Sequence, residues 1–323
     1  MKIVKTEEAI GMMLCHDLTR IVPGESKGPA FKKGHVVQVE DIPLLLSMGK
    51  EHLYVWEVQE GMIHEEEAST RMAATASAAG VVWAPPREGK VTLKAEHDGL
   101  LRIDAEKLEA INSIGEITIA TLRDRMAVTA GQAVAGVKVT PLVIAEEQIR
   151  AAEALGEWVQ VKPFRPLKSA VIVTGSEVFK GRLEDKFGPV VEAKLARYGC
   201  PVVYRAISDD NAEMTVTKIR EAIEAGAELI LCTGGMSVDP DDATPGAIQM
   251  AGARVVTYGA PVLPGSMFML GYLAGEVPVM GLPGAVMFEK VTIFDLILPV
   301  VLAGEILTKQ DFVRMGHGGM IQH

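Results

Sequence analysis

The feature that most constrains the fold is a regular alternation of apolar runs and helical patterns that starts at Lys168. Ser169–Thr174 is a continuous, largely apolar run, as expected for a parallel strand buried on both faces. A helical pattern follows at Pro189–Tyr198, and another begins near Asp210, which with Glu213 predicts a capping box. Strands and helices that alternate with short connections predict a doubly wound, mostly parallel α/β sheet. The other elements predicted here are strands at 202–207, 228–232, 254–258 and 277–281 and one long apolar helix over 285–303.

The residues before this region differ in pattern and predict two further regions. Residues 1–60 have the pattern of a small α/β segment. Between residues 61 and 150, short β-rich runs separated by Gly, Pro and Asp predict a small β-rich module with flanking helices. We therefore expect three domains, at 1–60, 61–150 and 168–323.

Composition disfavours several classes of function. The 323 residues include 32 Lys+Arg and 42 Asp+Glu, and they form no basic stripe, so we expect no nucleic-acid partner. No apolar run reaches the roughly 18 residues of a membrane span, and the N-terminus lacks the apolar core of a secretory signal. A cytoplasmic protein without a membrane partner is therefore predicted. Cys15, Cys200 and Cys232 are too few and too scattered for a disulfide framework or a zinc site, and we expect them to be buried thiols.

The loop after the third strand of the predicted sheet is the clearest candidate site, because ligands of such sheets bind beyond the carboxyl ends of the strands. Thr233–Ser237 contains two adjacent glycines and two hydroxyl side chains. A loop of this kind presents free N–H groups as an anion cradle. Asp239, Asp241 and Asp242 follow closely, and carboxylates beside a bound phosphate are typical ligands of Mg²⁺. The alternative is a tight turn whose aspartates cap the next helix.

Two other strand-end loops favour an anion site. Thr174–Glu177 is a second turn of small residues with a carboxylate, and Gly284 opens the predicted last helix, whose N-terminus favours an anion. The sequence has no G-x-G-x-x-G, no G-x-x-x-x-G-K-[ST] and no H-E-x-x-H motif. Dinucleotide-binding proteins, P-loop ATPases and zincins are therefore disfavoured.

Together these loops resemble the molybdopterin-binding domain of molybdenum-cofactor biosynthesis proteins of the MoeA and MogA type. The resemblance spans about residues 168–304 and rests on Thr174–Glu177, Gly181–Pro189, Thr233–Asp242 and Gly281–Gly284. The Ser-Ala-Met-Asp-Gly run of MoeA-type proteins has no counterpart in this sequence. The Pro240–Thr244 run also resembles a loop of CinA-type proteins.

The resemblance implies that these loops bind molybdopterin or its adenylate with Mg²⁺. It also implies a transferase that inserts metal, from molybdate or tungstate, or that transfers an adenylyl group. The acids that match the family pattern, with implied catalytic roles, are Glu177, Asp209, Asp210 and Asp242. The predicted metal ligands are Asp239, Asp241 and Asp242. The predicted cofactor-binding residues are Thr174, Gly175, Ser176, Asp185, Thr233, Gly234, Gly235, Met236, Ser237, Pro283 and Gly284.

Two alternatives stay open at this point. The first is a non-catalytic carrier that binds molybdopterin, and the second is a CinA-like nucleotide pyrophosphatase. We also expect a homo-oligomer, because related domains associate and an apolar, Met-rich surface supports association. Other cofactor-biosynthesis proteins are further candidate partners.

Overall fold

The computed structural model describes residues 2–22, 26–56, 60–237 and 242–321. The chain divides into two compact units, Met1–Lys162 and Pro163–His323. Within the described residues, no helix is long and apolar enough to span a membrane.

The first unit consists of small sheets and short helices. Its strands are β1 Lys2–Lys5, β2 Leu18–Val22, β3 Ser26–Phe31, β4 His52–Val55, β5 Met62–His64, β6 Val81–Trp83, β7 Lys90–Ala95, β8 Gly99–Ile103, β9 Ile117–Thr121, β10 Ala127–Val128, β11 Ala133–Val139, β12 Val143–Ala145 and β13 Val159–Pro163. Its helices are α1 Ile42–Ser47, α2 Glu65–Ala76, α3 Ala105–Asn112 and α4 Glu146–Glu153.

The largest sheet of this unit has the order β6-β7-β11-β9, and a three-stranded sheet has the order β10-β8-β13. The remaining strands form the pairs β1-β4, β2-β3 and β5-β12. One hydrophobic core lies among residues 4–55, and a second, larger core lies among residues 68–161. Among the described residues of this unit, apolar side chains therefore pack in these two clusters.

His64 joins the parts of the first unit that contain these two cores. Its Nε2 lies 2.8 Å from the carbonyl oxygen of Cys15 and must carry the ring proton there. Its Nδ1 is then the acceptor for the Glu66 N–H at 3.2 Å and for the Lys33 ammonium at 3.1 Å. Lys33 also forms an ion pair with Glu66. The imidazole is therefore held as one neutral tautomer.

The second unit contains one large sheet with helices. Its strands are β14 Ser169–Thr174, β15 Val202–Ser208, β16 Leu229–Thr233, β17 Arg254–Tyr258, β18 Met269–Leu273 and β19 Val277–Leu282. Its helices are α5 Ser176–Phe179, α6 Phe187–Ala196, α7 Ala212–Glu224, α8 Thr244–Met250, α9 Ala285–Phe288, α10 Ile293–Leu302 and α11 Lys309–Arg314.

The six strands have the order β15-β14-β16-β19-β18-β17, and the prediction of an α/β fold is confirmed. β15, β14, β16 and β19 pair in parallel, whereas β18 is antiparallel to both of its neighbours. Every residue of β14 and β16 is buried, as the apolar runs predict. β18 is a strand that the sequence pattern did not predict, and it makes the sheet mixed.

Two predictions about helices are wrong. The apolar segment 285–303 is two helices, because α9 ends at Phe288 and Thr292 starts α10 in a capping box with Asp295. Asp210 does not cap α7; the side chain of Asn211 does, accepting a hydrogen bond from the N–H of Met214 at 3.0 Å. The carboxylate of Asp210 is bound elsewhere, as described below.

A buried ion pair connects α6 to α10. The ammonium of Lys194 lies 2.7 Å from both carboxylate oxygens of Asp295 and donates to the carbonyl oxygen of Lys290 at 3.0 Å. Removing one partner of such a pair leaves an unpaired buried charge, which is strongly destabilising. The pair therefore holds the segment between α9 and α10 against α6.

We expect acidification to destabilise the first unit through His64. Burial, followed by the positive charge of Lys33, lowers the pKa of His64, although the Cys15 carbonyl, Glu66 and Glu67 oppose the shift. The pKa of the neighbouring His16 is also lowered, mainly by burial. A histidine with a depressed pKa is protonated first in the unfolded chain, so stability falls as the pH drops below about 6.5.

The measurement is urea unfolding at pH 7.5 and pH 5.5, followed by tryptophan fluorescence. Trp56, Trp83 and Trp158 are the three tryptophans of the chain and all lie in the first unit. His64→Asn should lower stability at pH 7.5 by about 1–3 kcal/mol and flatten the pH dependence. The matched control is His52→Asn, at an exposed histidine of the same unit. An equally steep pH dependence in His64→Asn would contradict the role of His64.

Candidate functional site

A cavity of about 460 Å³ lies at the carboxyl ends of β16 and β19. Its lining comes from the loop after β16, the loop between β17 and β18, the segment after β19 and the first residue of α6. The lining residues are Phe187, Gly234, Gly235, Met236, Ser237, Asp242, Gly265, Ser266, Met267, Leu282, Pro283, Gly284 and Ala285. Seven of the predicted site residues therefore share one cavity.

The loop after β16 lies against the end of β14. A Cβ built at Gly234 would lie 2.2 Å from the carbonyl oxygen of Thr174, and the φ of Gly234 is +84°. At Gly235, where φ is +53°, a Cβ would lie 3.0 Å from the Thr244 hydroxyl oxygen. The sequence analysis explains the two glycines by the close approach of a ligand to the backbone. The structure shows a second reason for glycine at these positions, which is the close contact between the two loops.

Buried threonines hold this contact together. The Thr174 hydroxyl donates to the carbonyl oxygen of Thr233 at 3.0 Å, and the Thr244 hydroxyl donates to that of Gly234 at 2.9 Å. The two hydroxyl oxygens are 3.1 Å apart. Thr174 and Thr233, both predicted to bind the cofactor, therefore support the cavity from behind and do not line it.

A second group of predicted residues lies around the loop after β14. Asp210 accepts hydrogen bonds from the N–H and the hydroxyl of Ser176, at 2.8 and 2.9 Å. Asp209 accepts from the N–H of Asp210 at 2.9 Å and lies 3.7 Å from the ammonium of Lys180. The side chain of Glu177 is exposed. This group is separate from the lining of the cavity.

Asp185 caps α6. Its Oδ1 accepts from the N–H groups of Phe187 and Gly188, both at 2.9 Å, and Arg205 donates to its Oδ2 at 2.8 Å. Asp185 thus orients the helix whose first residue, Phe187, lines the cavity. The prediction that Asp185 binds the cofactor stays a prediction.

Gly284 does not open a long helix. It precedes α9, which has four residues, so the expected anion site at a long helix N-terminus is wrong. Gly284 and Pro283 line the cavity nevertheless.

The predicted metal ligands are only partly described. Asp239 and Asp241 lie outside the described residues, and Asp242 lines the cavity. Among the residues that the structure describes, no group of three Asp, Glu, His or Cys side chains is placed to hold a metal ion.

The structure adds residues that the sequence reasoning missed. Phe187 and Gly265–Met267 line the cavity. The Pro-Gly-Ser run after the predicted strand Arg254–Tyr258 was an available turn signal. The run alone does not predict a binding loop, because the sequence pattern does not show the strand β18 that follows it.

Residues 170–303 match the model of a family described as "Probable molybdopterin binding domain". The match confirms the resemblance of the strand-end loops and covers less than half of the chain. Residues 3–57 match a family described as a domain of unknown function.

Curated relatives resemble the chain over part of their length. A molybdopterin adenylyltransferase of Pyrococcus furiosus is 30% identical over 33% of this chain and 63% of its own length. A molybdopterin molybdenumtransferase of Haemophilus influenzae is 29% identical over 44% of this chain and 36% of its own length. A CinA-like protein of Mycobacterium tuberculosis is 30% identical over 24% of this chain and 18% of its own length. The chain therefore spans less than two thirds of these relatives.

Solved structures with similarity include a tungsten cofactor synthesizing protein, MoaB, of Pyrococcus furiosus. It has 21% identity and a TM-score of 0.35, over 48% of this chain and 97% of that one. A molybdopterin biosynthesis enzyme, MoaB, of Thermus thermophilus has 20% identity and a TM-score of 0.35, over 43% of this chain and 98% of that one.

We expect Gly234→Ala to destabilise the second unit more than Gly226→Ala. Both glycines have φ near +80°, but only at Gly234 would the added Cβ meet the Thr174 carbonyl, since nothing lies within 4 Å of a Cβ at Gly226. The shared backbone cost is about 1–2 kcal/mol, and the clash should add about 1–3 kcal/mol at Gly234. Chemical unfolding followed by far-ultraviolet circular dichroism measures the difference. Equal destabilisation would show that the two loops do not need this contact.

Proposed function

We propose that the second unit binds molybdopterin or its adenylate in the strand-end cavity and acts as a transferase in molybdenum-cofactor biosynthesis. The observation that carries the proposal is the position of the cavity, whose lining residues all fall within residues 170–303. A volume of about 460 Å³ is within the range of small-molecule sites. The transferase names of two relatives support the reaction class.

The proposed roles follow from position. Gly235 and Ser237 contribute backbone N–H groups and a hydroxyl to a phosphate cradle, and Asp242 is the carboxylate beside it. Glu177, Asp209 and Asp210 are proposed as further acids from the adjoining loops. Phosphoryl and adenylyl transfer depend mainly on positioning and charge stabilisation, which such groups supply without a covalent nucleophile.

Mg²⁺ remains a separate proposal. Of the three aspartates predicted as its ligands, the described residues include only Asp242. Mg²⁺ is usually held by one or two carboxylates together with substrate phosphates, so Asp242 and a bound phosphate would supply ligands of that kind. A cytoplasmic location and a homo-oligomeric state are likewise predictions from the sequence.

A CinA-like pyrophosphatase is the second candidate. It is favoured by the 77-residue match to a CinA-like protein at 30% identity. The two candidates share a phosphate-bearing ligand and differ in the bond that is broken, so turnover assays distinguish them.

We expect Asp242→Asn to reduce turnover about a hundredfold or more, because the carboxylate beside the cradle is lost. The purified chain is mixed anaerobically with adenylylated molybdopterin, Mg²⁺ and molybdate, and AMP is measured by chromatography. Glu224→Gln is the matched control, since it removes an exposed carboxylate of the same unit.

Each result has a distinct meaning. AMP released by the wild type only when molybdate is present supports metal insertion. Binding without release supports a carrier, and hydrolysis of ADP-ribose without pterin supports the pyrophosphatase. A folded Asp242→Asn variant with wild-type turnover would refute the role of Asp242.

A further inference from the structure

Every carbonyl oxygen along Thr233–Ser237 accepts a hydrogen bond from another part of the second unit. The Thr174 hydroxyl donates to the carbonyl oxygen of Thr233, and the Thr244 hydroxyl donates to that of Gly234. The N–H of Thr244 donates to Gly235 at 3.3 Å. The Tyr258 hydroxyl shares its proton between Met236 and Ser237, at 3.4 and 3.2 Å. Five consecutive carbonyl oxygens are thus drawn back by donors from β14, α8 and β17.

This pattern has an electrostatic consequence for the cavity. In a trans peptide the carbonyl and the following N–H point in opposite directions. The carbonyl oxygens of Gly234, Gly235 and Met236 point towards the donor groups of Thr244 and Tyr258. The N–H groups of the next three residues, 235–237, therefore point away from those donors. Those three residues line the cavity. A carbonyl oxygen repels an anion and an N–H group attracts it. The hydrogen bonds from Thr244 and Tyr258 therefore decide whether the loop attracts or repels an anion.

Tyr258 and Thr244 differ in how far their side chains are exposed to solvent. Thr244 is 1% exposed and does not line the cavity, so its hydroxyl acts only through the loop. Tyr258, the last residue of β17, is 42% exposed. Burial, followed by the charge of Asp242, raises the pKa of Tyr258, so its phenol keeps the proton that the carbonyls require.

We propose that Tyr258 and Thr244 are positioning residues that set the Thr233–Ser237 loop to bind a phosphate-class anion by holding its carbonyl oxygens out of the cavity. The inference rests on the proposed function for the phosphate-bearing ligand. It adds that anion affinity is controlled by hydroxyl groups behind the loop. Neither residue is among the site residues predicted from the sequence, although Thr244 lies in the Pro240–Thr244 run.

The test uses the full chain and inorganic pyrophosphate, with dissociation constants measured by calorimetry. Tyr258→Phe removes one hydroxyl and Thr244→Val removes the other, while Thr244→Ser keeps it. We expect pyrophosphate to bind about five- to tenfold more weakly to Tyr258→Phe and Thr244→Val, and normally to Thr244→Ser. Tyr204→Phe is the matched control, because Tyr204 donates to Glu221 and does not line the cavity.

A second readout separates positioning from general damage. In ¹H–¹⁵N spectra of the wild type, pyrophosphate should shift the amide protons of Gly235, Met236 and Ser237 downfield, and the shifts should shrink in Tyr258→Phe. If Thr244→Val does not fold, the half-exposed Tyr258→Phe still decides the result.

Wild-type affinity in Tyr258→Phe and Thr244→Val would overturn the proposal, as would equal weakening in Tyr204→Phe or no binding of pyrophosphate to the wild type. Hydroxyl-dependent binding of pyrophosphate without release of AMP from adenylylated molybdopterin would support the inference and reject metal insertion by this chain. The two proposals are therefore tested separately.

Discussion

The approach of Gly234 to the carbonyl oxygen of Thr174 is the contact on which the candidate site depends. No side chain fits between them, because a Cβ would lie 2.2 Å from that oxygen. This closeness brings the loop after β16 within reach of the hydroxyls of Thr174 and Thr244. The contact also explains why small and hydroxyl-bearing residues follow β14 and β16, whether or not a ligand is bound. Packing and anion binding make the same demand on these positions.

Much of the second unit could be predicted because its central strands are buried on both faces. β14 and β16 are continuous apolar runs, and such runs are distinctive in a sequence. β18 was missed because Met269–Leu273 contains a glycine and lacks β-branched residues. The break between α9 and α10 was missed because apolar residues on both sides of it suggested one helix, although Glu289, Lys290 and the capping residue Thr292 interrupt the pattern. Local chemistry overrides periodicity at both places.

The sequence was sufficient to predict which loops form the site, but not what each side chain in those loops does. Topology alone brings the ends of neighbouring parallel strands together, so seven predicted residues share the cavity lining. A sequence does not show which carboxylate is already hydrogen-bonded or ion-paired to another residue of the protein. Arg205 pairs with Asp185, and Ser176 donates to Asp210, and each of these bonds joins residues that only the tertiary structure brings together. Tyr258 gave no signal at all, because its partners are backbone carbonyls.

The strand order has a consequence for how the second unit assembles. β19 lies between β16 and β18, although it follows both in the chain. The β17–β18 pair is local and can form early, but it joins the rest of the sheet only through β19. The two walls of the cavity, one after β16 and one before β18, are therefore separate until Val277–Leu282 enters the sheet. A nascent or truncated chain that ends before Val277 would keep most of the binding residues and yet have no cavity, because it lacks the strand that joins the two walls. In the full chain, this non-local strand pairing is slow to form.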